Sequence, residues 1–259
     1  MKKTKLKLDC FIEYILSIEK YLTPHRIKFC NQFLKLYPKC EKVYLDRGQA
    51  YEYIKKYVFA IKDYTKALRI KPDAYTYQRR AETYIVLRQY KKAMEDLNKV
   101  IQLQQKTRGR NMDGGLFSKG SLLSKRAECY IGLKIFNCAI KDLKRAIRSS
   151  ERKDLYYARI AELYSSSKDK KTRDGKKAID YANKAIASLN EFRKKKNLPK
   201  QESSYHLSVL AATYAQLGKF NDAIRTQKKA IALLRHVNEL KKYKNRLNLY
   251  KQRLPFIEK

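Results

Sequence analysis

The sequence predicts an all-α fold, a solenoid of stacked antiparallel helix pairs. Three observations carry that expectation. The first is a recurring motif. "RGQAY" at 47–51 returns as "RAETY" at 80–84, as "RAECY" at 126–130, and more loosely as "IAELY" at 160–164 and "LAATY" at 210–214. The second is a set of small residues at constant distance behind it. Gly48 leads to Ala60, Ala81 to Ala93, Ala127 to Ala139 and Ala211 to Ala223, while the fourth copy runs longer, from Ala161 to Ala178. Another small or branched residue follows in each copy: Ala67, Val100, Ala146, Ala185 and Ala230. The third is a scarcity of breakers, 8 Gly and 5 Pro in 259 residues. A motif with a period of roughly 34 residues marks a repeat array.

The small residues need a physical reason. Gly in a helix interior costs roughly 1 kcal/mol relative to Ala. Small side chains at fixed spacing let two helix backbones approach. Gly48 and Ala60 are therefore read as contact points between a first helix, A, and a second helix, B, within one pair.

With these residues in view, the chain resembles the tetratricopeptide repeat family. The first copy carries the pattern most fully: Tyr44, Arg47-Gly48, Tyr51, Tyr57, Ala60, Tyr64, Ala67 and Pro72. The second has Tyr77, Arg80-Ala81, Tyr84, Tyr90, Ala93 and Leu97; the third has Leu123, Arg126-Ala127, Tyr130, Phe136, Ala139, Leu143 and Ala146. The fourth has Tyr157, Ala161, Tyr164, Ala178, Ala182 and Ala185; the fifth has Leu207, Ala211, Tyr214, Phe220, Ala223 and Ala230. The chain departs from the family in having no Trp and no closing Pro after the first copy. The resemblance implies a right-handed superhelical solenoid of five repeats over 41–235, at about 41–73, 74–107, 120–153, 154–192 and 204–237, with insertions at 108–119 and 193–203.

The ends and joints complete the organisation. Residues 1–40 read as a degenerate helix pair. "LDCFIEYILSIEKYL" is its A helix and "TPHRIKFCNQFLKLYP" its B helix, with Thr23 as N-cap and Pro24 at the first helical position. Residues 238–259 read as a capping helix with Leu240, Tyr243, Leu247 and Tyr250 on one stripe, because an open array must cover its last apolar face. The joint "TRGRNMDGGLFSKGS" holds Gly109, Gly114, Gly115 and Gly120 and comes near a phosphate loop. Lys119 precedes its glycine, however, and no strand leads in, so a flexible loop is expected. "SSSKDKKTRDGKK" is a polar insertion at the helix turn of the fourth repeat, and its Asp169 and Asp174 lack the alternating ligands of a calcium loop.

Several function classes find no support. No apolar run is long enough for a membrane span. No signal peptide is expected at the N-terminus, since Cys10 has no apolar stretch before it and Asp9 and Glu13 interrupt the one after. Cys10, Cys30, Cys40, Cys129 and Cys138 form no ligand spacing and suit reduced thiols in a cytoplasm. His25, His206 and His236 stand apart. No catalytic residue, metal site or cofactor is expected.

The charge is the strongest remaining feature. Lys and Arg number 61 against 25 Asp and Glu, a formal +36, spread evenly along the chain. Such a field favours anionic partners, and a nucleic-acid-binding role is the alternative reading. A dedicated nucleic-acid site more often concentrates its charge on one face. The resemblance implies instead that the A helices line a concave groove that holds a partner peptide or protein. Arg79, Lys125 and Arg159 are each followed three residues later by Glu82, Glu128 and Glu162, which places each pair on one helix face. Gln49, Gln78, Tyr75 and Tyr205 are expected beside them. Some family members grip the C-terminal carboxylate of chaperones with Lys, Asn and Arg. Here the corresponding positions hold Leu45, Gln49, Arg79, Ser121 and Lys125, or, one repeat on, Gln78, Glu82, Lys125, Leu155 and Arg159. Neither set rebuilds that clamp. The expected function is a non-catalytic protein-interaction scaffold.

Overall fold

The computed structural model describes residues 23–106, 118–234 and 237–257. Among them are twelve α-helices, one short 3-10 turn and no strand. The described residues form two compact units, divided at 111–112. The first holds α1 (Thr23–Leu36), α2 (Glu41–Tyr53), α3 (Tyr57–Ile70), α4 (Ala74–Val86) and α5 (Tyr90–Lys106). The second holds α6 (Lys119–Gly132), α7 (Phe136–Arg148), α8 (Lys153–Ser166), α9 (Gly175–Lys195), α10 (Ser204–Gln216), α11 (Phe220–Ala232) and α12 (Leu240–Lys251). The expected partner helix of α1, the glycines at 109, 114 and 115, and His236 lie outside the described residues. Gly120 does not belong to the joint. It is helical, in the first turn of α6, where Ser118 caps the Ser121 amide.

Within each unit, consecutive helices pack as pairs: α2 with α3, α4 with α5, α6 with α7, α8 with α9, and α10 with α11. The small residues sit in these contacts. Ala60, Ala93, Ala139, Ala178 and Ala223 are fully buried, one in each B helix. Gly48 is buried against the Tyr64 ring, and a Cβ there would stand 2.6 Å from Tyr64 Cε1. Only a residue without a side chain fits between α2 and α3 at that point.

An ion pair stitches three of the five pairs. The Arg that precedes the small residue of helix A forks onto an Asp of helix B. Arg47 meets Asp63 at 2.7 Å, Arg80 meets Asp96 at 2.7 and 2.8 Å, and Arg126 meets Asp142 at 2.6 and 2.9 Å. Each Asp is buried and each Arg is half-buried, and two parallel bonds fix both angle and distance. The last two pairs replace the Arg with apolar Ile160 and Leu210.

A second regularity closes each turn. Helix A ends in a left-handed residue at Lys55, Arg88, Lys134 and Gly218, with φ of 60, 57, 62 and 75°. The residue after it donates its amide to the carbonyl of the family's Tyr: Lys56 to Tyr51, Gln89 to Tyr84, Ile135 to Tyr130 and Lys219 to Tyr214, all at 2.8–2.9 Å. This is the Schellman arrangement, which satisfies carbonyls that the helix end leaves open. The fourth pair has extra residues in its turn, yet the amide of Asp174 still reaches the carbonyl of Tyr164 at 2.9 Å. The insertion loops out and the seam closes on the same atom. Asp174 then caps α9 through its side chain, accepting from the Lys177 amide.

Candidate functional site: the A-helix faces

The sequence-predicted site residues fall into two groups, one in each unit. In the first unit they meet. Gln49 of α2 donates to the Tyr75 hydroxyl of α4 at 2.6 Å. Arg79 pairs with Glu82 at 3.0 Å on its own helix, and Gln78 donates to the other Glu82 oxygen at 2.9 Å. Spacing on one helix does not show a further partner. Glu52, from α2, takes the second arm of Arg79 at 2.8 Å and also accepts from the buried Tyr64 hydroxyl at 2.6 Å. Arg79 thus stands between two carboxylates from neighbouring A helices. Burial works against its charge, but Glu52, Tyr64 and Glu82 more than offset this and hold its pKa above the ordinary value. Burial and the bond to Glu52 push the Tyr64 phenol well up, so it stays a donor.

In the second unit the residues separate. Lys125 is half-buried and Glu128 is exposed on α6. Arg159 pairs with Glu162 at 2.6 Å on α8, and the Tyr205 hydroxyl of α10 lies 3.5 Å from the same carboxylate. Glu162 is not an open groove residue. Its other oxygen meets Arg246 of α12 at 2.9 Å, and both side chains are only 2% exposed. Burial alone would raise the Glu162 pKa, but the Arg159 and Arg246 charges outweigh it and hold the carboxyl at about 2.

Arg246 continues a buried polar chain. It donates to Ser208 at 3.0 Å, Ser208 donates to Gln227 at 3.1 Å, and Gln227 reaches the Tyr243 carbonyl at 3.2 Å. The Phe256 ring covers its guanidinium at 4.3 Å. Here the chain's own C-terminal helix and tail cover part of the A-helix face. Beside this network, buried His206 of α10 faces buried Asp154 of α8 at 3.4 Å, and Arg152 forks onto the same Asp at 2.9 and 3.0 Å. Burial would raise the Asp154 pKa, but His206 and Arg152 hold it well below the carboxylate range. Among the described residues no three His, Cys, Asp or Glu side chains gather as a metal site, and no helix is long and apolar enough to cross a membrane.

The tetratricopeptide repeat family matches twice, over residues 41–73 and 74–107. No curated protein matches the chain. Among solved structures it is similar to a tetratricopeptide repeat protein from Parabacteroides merdae, at 15% identity and a TM-score of 0.54 over 88% of this chain and 78% of that one. MamA aligns at 20% identity with a TM-score of 0.55, covering 79% of this chain and 94% of its own. YrrB, described as a TPR protein with an unusual peptide-binding site, aligns at 15% identity with a TM-score of 0.50, covering 83% and 97%. At these identities the likeness speaks to fold. Residues 41–107 are thus two adjoining tetratricopeptide repeats, and the recurring helix pairs and these neighbours give the described chain the fold of a tetratricopeptide repeat protein, whose repeats build protein-interaction scaffolds.

Proposed function

We propose that the chain is a non-catalytic scaffold that holds a partner peptide or protein on its A-helix faces, the concave groove of its repeat class. One observation carries this reading: Arg79, part-exposed, is held between Glu52 and Glu82 and so presents a fixed cation flanked by two acceptors. The carboxylates of this triad keep lone pairs that can accept from peptide-backbone amides or a basic side chain, and Arg79 can exchange one of its carboxylate partners for a carbonyl of the peptide. Gln49, Tyr75 and Gln78 extend the polar row in the first unit, and Lys125, Glu128 and Arg159 offer contacts in the second. Glu162 and Tyr205 act behind Arg159 by setting its position. YrrB lends support as a fold neighbour described with a peptide-binding site. Cys30, Cys40, Cys129 and Cys138 are free thiols, which suits a reducing cytoplasm.

The test is recovery of partners after nuclease treatment, by wild type and by Arg79→Ala with Arg159→Ala. The scaffold reading expects nuclease-resistant partners that the double variant loses while its helical circular dichroism at the assay temperature is retained. Recovery that depends wholly on nucleic acid, with the double variant behaving as wild type, would replace it with electrostatic nucleic-acid binding through the +36 charge.

A further inference from the structure

The edge of the first unit where helix A turns into helix B carries apolar side chains that packing leaves outside. Val58 and Phe59, in the first turn of α3, are 71% and 54% exposed, and Tyr53 at the end of α2 is 76% exposed. Val86, which holds the Tyr53 position one pair on, is 54% exposed. The Phe59 ring lies against Tyr51 with centroids 5.3 Å apart, so the patch has an aromatic floor. The chain supplies its own comparison. The positions of Val58 and Phe59 are Lys91-Lys92, Asn137-Cys138, Lys176-Lys177 and Asn221-Asp222 in the other pairs. One pair in five breaks the solvent-facing pattern, and it does so with two apolar residues side by side. Core packing does not explain this, because the fold is built five times and four copies manage without it.

The rim has one sign. Lys55, Lys56, Arg88, Lys91 and Lys92 are exposed around the patch, and neither 53–59 nor 86–92 contains an Asp or Glu. We propose that this elbow is a second docking surface, separate from the A-helix face, for an acidic protein segment carrying large apolar side chains. Exposed apolar patches rimmed by polar groups mark interaction sites, and aromatic anchors dominate interface energetics. The cationic rim selects acidic partners and speeds encounter. A second copy of this chain brings the same cations and a like net charge, so self-docking is opposed. A bilayer takes projecting apolar tips, whereas the Phe59 ring is folded against Tyr51 at an interplanar angle of 33° and offers its outer face to side chains laid across it.

The probe is a short labelled peptide of Glu interspersed with Leu and Phe. Two controls accompany it: a peptide with Ser in place of Leu and Phe, and vesicles of anionic phospholipid. Binding to the full chain is read by fluorescence anisotropy and mapped by hydrogen exchange. Val58→Ser with Phe59→Ser alters only exposed side chains, so its helicity should match wild type. The proposal expects protection at 53–59 and 86–92, weaker binding of the Ser control, and about a tenfold loss of affinity in the double variant. Lys55→Glu with Lys56→Glu should weaken the same complex and reduce its salt dependence. Equal binding by wild type and the Val58/Phe59 variant overturns the proposal. So does protection confined to the A-helix face, vesicle binding at the elbow without peptide binding, or self-association that the Val58/Phe59 variant abolishes.

Discussion

Removing the Arg246 guanidinium should release the C-terminal helix from the array. The size of the effect follows from Glu162. Its pKa falls from 4.5 to about 2 although burial pushes it the other way. At 1.36 kcal/mol per pKa unit, this corresponds to roughly 3 kcal/mol favouring the charged carboxyl. Arg159 keeps some access to solvent, whereas Arg246 is buried beside the carboxylate. Arg246→Ala leaves a buried carboxylate with one charged partner, Arg159. Breaking a buried pair from one side costs about 3–5 kcal/mol, and the remaining Arg159 contact places the expected loss near about 3 kcal/mol. Urea unfolding followed by circular dichroism at neutral pH measures it. Acid provides an independent reading. The Glu162 pKa is depressed, so its contribution is full above about 4.5 and is lost as pH falls through about 2. Wild type should lose about 3 kcal/mol across that window from this group, and Arg246→Ala should lose distinctly less. Leu at both 162 and 246 should return stability to within about 1 kcal/mol of wild type, since no charge is then stranded. A single-variant loss under about 1 kcal/mol, or a double variant weaker than the single, refutes the reasoning.

Two further outcomes test the helix seams. Gly48→Ala should cost about 1–3 kcal/mol, because the new Cβ meets a fully buried Tyr64 ring that is tied to Glu52; thermal melts of this variant in a Tyr64→Leu background should show the cost removed. Lys134→Gly should stabilise by about 0.5–1 kcal/mol and Gly218→Ala should destabilise by about 1 kcal/mol, since both residues are left-handed and nothing crowds Gly218. Equal melting temperatures for the two would show that the turn conformation is not what selects glycine there.

The fold class was legible because its determinants are local and repeated. Gly48 and Ala60 report a helix contact in any one copy only weakly, but four copies at one spacing, with a fifth lengthened, leave no competing period. The Arg–Asp stitch was equally visible, since Arg47, Arg80 and Arg126 each precede an Asp at the same distance, 63, 96 and 142. The motif by itself does not say that its Arg has a partner on helix B. Pairs within one helix, Arg79–Glu82 and Arg159–Glu162, were also legible from their three-residue spacing. Partners from other helices were not. Glu52 lies 27 residues from Arg79, and Arg246 lies 84 residues from Glu162. The final helix hid its role for a further reason. Its apolar stripe reads equally well through Leu247, but the structure buries Arg246 and leaves Leu247 half-covered.

The looped-out turn of the fourth pair separates two properties that short connectors usually tie together: how long a connection is, and how the helices it joins are registered. Because the Asp174 amide finds the Tyr164 carbonyl across the longer path, the segment between them is free to vary in length while the register of α8 and α9 stays set. Loop entropy grows only slowly with added residues, so lengthening it costs little. That makes the exposed residues 170–171 a natural graft point, where a tag, a cleavage sequence or a guest domain can be installed while the seam keeps its geometry.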